Sequence, residues 1–236
     1  MTRARVLITC EHGGNDIPAA YRHWFRGHET ALETHRGQDP GALALARDMA
    51  QACRAQLVCS TVSRLLVELN RSPGHPRLYS DITRALPQAE KHALLVRYYL
   101  PYRKQVESRI VAALRACRRV VHVSSHSFTP ILDGVRRHAD IGLLYDPSRA
   151  FETRFCLAWR QALLEAAPGL IVRRNYPYRG TSDGLTTHLR RRFSASQYIG
   201  IEIEVNQKHT LGDARRWARL RRAIAIALHA ALKSDA

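Results

Sequence analysis

Four apolar runs in this chain end in side chains that can do chemistry: residues 5–10 end in Glu11-His12, 64–70 in Asn70-Arg71, 119–125 in His126, and 198–205 in Glu204 and Asn206. Two histidines with a carboxylate are the ligand set of a catalytic zinc site that keeps one position open for water. A further glutamate near that water can act as general base. An arginine can stabilise the oxyanion that develops on an attacked carbonyl. An Asn–Arg pair can grip a carboxylate, the guanidinium bidentately. Taken singly, a strand-end histidine is more often a hydrogen-bonded core residue than a ligand. An unpaired carboxylate costs on the order of several kcal/mol to bury, so Glu202 and Glu204 inside YIGIEIEV are harder to explain as ordinary core.

For these groups to meet, the runs must be neighbouring strands, because ligands of open α/β sheets bind beyond the carboxyl ends of strands. The pattern predicts strands over 5–10, 56–62, 64–70, 119–125, 141–145, 170–174 and 198–205. In the last of these a period of two puts Glu202 and Glu204 on one face. Helical spacing of apolar residues predicts a helix from Pro40 to Cys53 with Asp39 as its N-cap. Further helices are expected over 89–117, where Pro101 should break or kink the run, and over 148–167 and 211–232. Two Gly- and Pro-punctuated loops, 72–81 and 175–184, are placed to form a rim. Strands alternating with helices argue for one α/β domain over 1–236, with a mixed, mostly parallel sheet.

Composition narrows the partners. At 236 residues and 45% hydrophobic the chain can bury a sizeable core unaided. The formal net charge is +17, carried overwhelmingly by arginine, and such a surface attracts anions, nucleic acid among them. No nucleic-acid motif is present and aromatics are only 7%, which argues against that partner. The five cysteines form no CxxC spacing; Cys10, Cys59 and Cys117 read as small buried hydrophobes. An odd count suits a reducing compartment, and no window reaches the roughly 18 apolar residues of a membrane span. A soluble cytoplasmic protein, monomeric or a small homo-oligomer, is expected.

The strings EHGGNDIP at 11–18, RLLVELNR at 64–71, SHSFTP at 125–130, NYPYRG at 175–180 and IEVNQ at 203–207 occur in this order. Together they resemble the N-formylglutamate amidohydrolase family over nearly the whole length. The resemblance implies a three-layer α/β/α sandwich, similar to the zinc carboxypeptidases and the aspartoacylase-type deacylases. It also implies one zinc ion per chain and cleavage of an amide beside an acidic amino-acid moiety. By that likeness His12 and His126 are metal ligands and Glu204 is the general base, with Glu202 as the other candidate. Asn70 and Arg71 grip the substrate carboxylate, and Arg64 contacts the oxyanion. Carboxypeptidases place a ligand Glu three residues after the first His, where this chain has Asn15. Asp39 is the preferred third ligand and Glu11 the second choice, since in extended backbone Glu11 would point away from His12. Arg179 or His188 supplies a second anion contact. A metallo-carboxypeptidase or a cell-wall peptide amidase stays open as an alternative, as does a divalent ion other than zinc.

Overall fold

A computed structural model describes residues 5–234 of the chain. Its strands are β1 (Arg5–Cys10), β2 (Gln56–Cys59), β3 (Val120–Phe128), a short hairpin of β4 (Ile131–Leu132) and β5 (Val135–Arg136), then β6 (Ile141–Leu144), β7 (Val172–Arg174) and β8 (Tyr198–Asn206). Its helices are α1 (Glu29–Leu32), α2 (Ala42–Cys53), α3 (Gln88–Leu94), α4 (Leu100–Leu114), α5 (Ala150–Ala166), α6 (Leu185–Arg192), α7 (Gln207–Thr210) and α8 (Ala214–Ser234). The main sheet has the order β2-β1-β3-β8-β6-β7. All its pairs are parallel except β8 with β6. The mixed, mostly parallel sheet is therefore present.

Alternation along the strands builds two cores, one on each face, and so three layers. On the first face Ile8, Val121, Val123, Ile199, Ile201, Ile203 and Val205 pack under α2, α5 and α8. Fully burying one such aliphatic side chain is worth about 1.5–3 kcal/mol. On the second face Leu7, Val58, Val120 and Tyr198 pack against α4, α6 and the irregular segment 65–69. Beyond those residues the second face turns polar. His122, Ser124 and His126 follow Val120 on β3, and Gly200, Glu202 and Glu204 follow Tyr198 on β8.

Some expectations need correction. Residues 65–70 are buried and Arg64 half-buried, but the run 64–70 is not a strand. Their backbone finds partners elsewhere: Ser80 Oγ donates to Leu65 O, Arg103 Nη1 to Leu69 O, and Glu68 N to Leu78 O. With those groups used, no ladder is left to form. The strand predicted over 56–62 ends at Cys59, with one isolated bridge from Asp16 to Val62. Cys59 is exposed rather than buried, because β2 is an edge strand with one side open to water. Pro101 does not break its helix. The backbone stays helical from Leu94 through Leu100, and the disturbance is a single π turn at Leu95–Tyr99, directly before Pro101. Helix α6 lies where the sequence reading places no element, because LTTHLRRR carries only two apolar residues; Leu185 and Leu189, one turn apart, seat it.

Candidate active site

His12 follows β1 directly, and the turn after it needs glycine. A Cβ on Gly13 would come within 2.9 Å of Ser60 O, and one on Gly14 within 2.7 Å of Thr61 O. The His12 carbonyl accepts a hydrogen bond from Asp39 N at 3.0 Å, which ties residue 39 to the end of β1. Asp39 is not the side-chain cap of α2: that helix starts after Gly41 with no side-chain cap. Its carboxylate turns instead to the histidines. Asp39 Oδ2 lies 3.2 Å from His12 Nδ1 and 2.9 Å from His126 Nδ1. One donor atom from each of the three residues lies within 4.8 Å of the others, close enough to share one ion.

Both imidazoles are held from behind by a second carboxylate. His12 Nε2 bonds Glu68, and His126 Nε2 lies 3.0 Å from Glu11 Oε2. A metal-binding histidine ordinarily donates its outer N–H in this way, which fixes its tautomer and ring plane. Glu11 therefore stands behind His126 rather than beside His12 as a ligand, anchored by Tyr102 OH at 2.7 Å and by Ser124. Burial disfavours charge on both histidines, yet the adjoining carboxylates outweigh it. Asp39 and Glu11 push His126 well above the ordinary histidine range, and Glu68 and Asp39 raise His12 against burial and Arg64. Burial also opposes ionisation of Glu11 and Glu68, but contact with His126 and Arg64 respectively holds both well below the usual carboxylate range. The site thus draws positive charge to the inner nitrogens, where a divalent cation could replace two protons. The donor set fits a metal of the zinc type.

Glu204 is brought in by sheet register. It is the direct partner of His126 in the parallel pair of β3 and β8. It is buried, and its Oε2 has no hydrogen-bond partner among the described residues. Burial, with the nearby charges of Asp39 and Glu202, pushes its pKa up to about 8, while His126 and Arg64 restrain the rise. A carboxyl poised near neutrality with a free oxygen suits proton transfer. Its other neighbour in register is Gly142 on β6. A Cβ there would come within 1.8 Å of Tyr176 O, so glycine lets the 175–184 loop close beside Glu204.

A cleft of about 700 Å³ opens onto these groups. Arg64 forks between two carboxylates, with Nη1 3.0 Å from Asp39 Oδ1 and Nε 2.8 Å from Glu68 Oε2. Asn70 Oδ1 accepts from Leu185 N at 2.6 Å, at the start of α6, leaving the amide NH2 for the cleft. Arg71 also lines the cleft; its guanidinium bonds the carbonyl of Asp183, and Tyr99 OH holds its own carbonyl at 2.7 Å. Arg179 lines the rim and is exposed. His188 lies on α6, not in a loop, and is not among the lining residues. Glu202 faces the cleft but is tied to Thr186 Oγ1 at 2.6 Å. Thus His12, Asp39, His126, Glu204, Arg64, Asn70, Arg71 and Arg179 all border one cavity.

Sequence reasoning missed Glu68, Ser124, Tyr102 and His122. Glu68 had a usable signal: it is a carboxylate inside the apolar run RLLVELN, the same anomaly that marked Glu202 and Glu204. His122 bonds Thr9 Oγ1 at 2.9 Å and Tyr198 OH at 2.7 Å, and burial lowers its pKa to about 4. It is a neutral strut beneath the site.

Residues 4–211 match the family model described as N-formylglutamate amidohydrolase. A structure of a gene product from Agrobacterium tumefaciens is 31% identical with a TM-score of 0.81, covering 99% of this chain and 91% of that one. The structure of N-formylglutamate amidohydrolase from Ralstonia eutropha is 19% identical with a TM-score of 0.72, covering 98% of this chain and 94% of that one. No curated protein matches the sequence. Among the described residues no helix is long and apolar enough to cross a membrane.

Proposed function

The chain belongs to the N-formylglutamate amidohydrolase family, and from that premise we propose that it removes the N-acyl group, N-formyl foremost, from an acidic amino acid such as N-formylglutamate. The observation that carries this reading is the cross-strand pairing of His126 with Glu204. It sets a carboxyl with an unpartnered oxygen beside a three-donor cluster.

His12, Asp39 and His126 would hold one zinc ion. When bound, that ion lowers the pKa of a water molecule and polarises the scissile carbonyl. Glu204 takes the proton as the water oxygen bonds to the acyl carbon. It returns that proton to the nitrogen as the C–N bond breaks, releasing formate and the free amino acid. Glu68 and Glu11 keep the two imidazoles in plane and in the required tautomer. Arg64 has N–H groups left over from Asp39 and Glu68 for the oxygen that gains charge. Asn70 and Arg71 bind the substrate carboxylate, and Arg179 offers a second anion contact at the rim. Fixing the carbonyl in this way supplies several kcal/mol of the barrier reduction.

Elemental analysis of freshly purified protein is expected to find one zinc per chain together with turnover of N-formylglutamate, both lost in His126→Ala. Full activity after exhaustive chelation, or a zinc-loaded chain inert toward N-formylated and other N-acylated acidic amino acids, would overturn the reading.

A further inference from the structure

Guanidinium groups border the cleft at two depths. Arg64 and Arg71 are half-buried beside the catalytic floor. Arg36, Arg77 and Arg84 are exposed at the mouth of the same cavity. In this outer tier Arg36 and Arg84 both contact Asp81, the former at 3.2 Å. The Arg77 guanidinium has no ion-pair or hydrogen-bond partner among the described residues. Three permanent cations therefore share one carboxylate, on the wall formed by residues 76–84 and Arg36. Such a local excess on one wall of the cleft favours an anion with groups spaced along it, and arginine suits carboxylate better than lysine does.

Size points the same way. N-formylglutamate has about a dozen heavy atoms, whereas cavities in the 300–1,000 Å³ range enclose ligands of roughly twice that size or more. A ligand of that size, anchored at Arg71 with its carbonyl over the three-donor cluster, would not fill a cleft of about 700 Å³. The inner guanidiniums can read one amino acid; the outer ones need something longer.

We propose that the substrate class is an N-acylated acidic peptide of two or more residues. Its acylated first residue occupies the floor, and a further carboxylate meets Arg36, Arg77 and Arg84. This rests on the hydrolase reading above and extends it to the length and charge of the substrate.

The experiment measures kcat/KM of the zinc-loaded enzyme for N-formylglutamate, N-formyl-Glu-Glu and N-formyl-Glu-Gln, with the dipeptides linked through either the α or the γ carboxyl. The Glu-Glu and Glu-Gln compounds differ by one charge at equal length. In at least one linkage Glu-Glu is expected to exceed Glu-Gln by about two- to fivefold at low salt, a preference that shrinks as salt screens it. In the double variant R77A/R84A, with folding checked by its melting curve, that ratio falls towards one. Hydrolysis of N-formylglutamate with equal rates for Glu-Glu and Glu-Gln in both linkages overturns this inference alone, as does an unchanged ratio in R77A/R84A. Inertness toward every compound overturns the hydrolase reading beneath it.

Discussion

Strands β3 and β8 carry two different molecules on their two faces. On the side covered by α2, α5 and α8, every inward residue of β8 from Ile199 to Val205 is aliphatic and buried. On the other side the same strands begin with Val120 and Tyr198 and end with His126 and Glu204. On β8 the first face stays aliphatic throughout, and on β3 it passes from Val121 and Val123 to Ser125, whose hydroxyl is spent on Ala42 O at 2.9 Å and carries no charge. The second changes from hydrocarbon to ionisable within four residues, and it does so toward the carboxyl ends. Stability and reactivity thus reside in alternate residues of one strand. The ionisable half is held together by contacts that a hydrocarbon layer does not need, each histidine between two carboxylates and Arg64 between Asp39 and Glu68.

Neighbouring residues on opposite faces give the most direct way to break this comparison. Glu204→Gln is expected to lower kcat by about 10²–10⁴-fold, the range for losing a general acid–base group, while the melting temperature at pH 7 stays near wild type. Retained turnover would move the base to Glu202 and shift the reactive face by one rung. Ile203→Ala, one residue away and fully buried, should do the reverse. It should cost about 2–4 kcal/mol in urea unfolding, with kcat of the folded enzyme within about twofold. If Ile203→Ala lowered kcat as much as Glu204→Gln does, the two faces would not be separable.

Glu68→Gln sharpens the comparison within the polar half. Without that carboxylate behind His12, zinc affinity measured against a competing chelator should fall by about 10–100-fold, with kcat at saturating zinc reduced less. A pH trend is expected as well in metal-free protein. The folded-state pKa of Glu204 is about 8, above its ordinary 4.5. Between those values the folded chain keeps a proton that the unfolded chain has released, so the contribution of Glu204 to stability declines as pH rises from about 4.5 to about 8. Urea midpoints at pH 5 and pH 8.5 should show wild type losing more than Glu204→Gln over that interval; parallel losses would remove Glu204 as the cause.

Much of the second face was legible in the sequence because period-two alternation is a local signal. Glu202 and Glu204 could be assigned to one face from YIGIEIEV alone, whereas His126 was expected just past a strand ending at Ser125 and lies inside β3, which continues to Phe128. Asp39 could be nominated, but as both helix cap and ligand, and only the tie from Asp39 N to His12 O decides between them. Residues 64–70 misled because an apolar run with a polar end looks like a strand. Its backbone is satisfied by Ser80, Arg103 and Leu78, none of them predictable from the run itself. That error also hid Glu68, whose place behind His12 depends on this irregular path. The N-terminal seat of α6, built by Leu185 N on Asn70 and Thr186 on Glu202, is likewise a contact between distant segments.

The register that pairs His126 with Glu204 also guards assembly. A slip of β8 by one position would turn Glu202 and Glu204 into the hydrocarbon layer under α5 and α8 and expose Ile201 and Ile203 to the cleft. Misthreaded chains would be rejected by the cost of two buried carboxylates before any substrate arrived. The residues assigned to hydrolysis therefore double as a proofreading mark for the strand that comes last in the sequence.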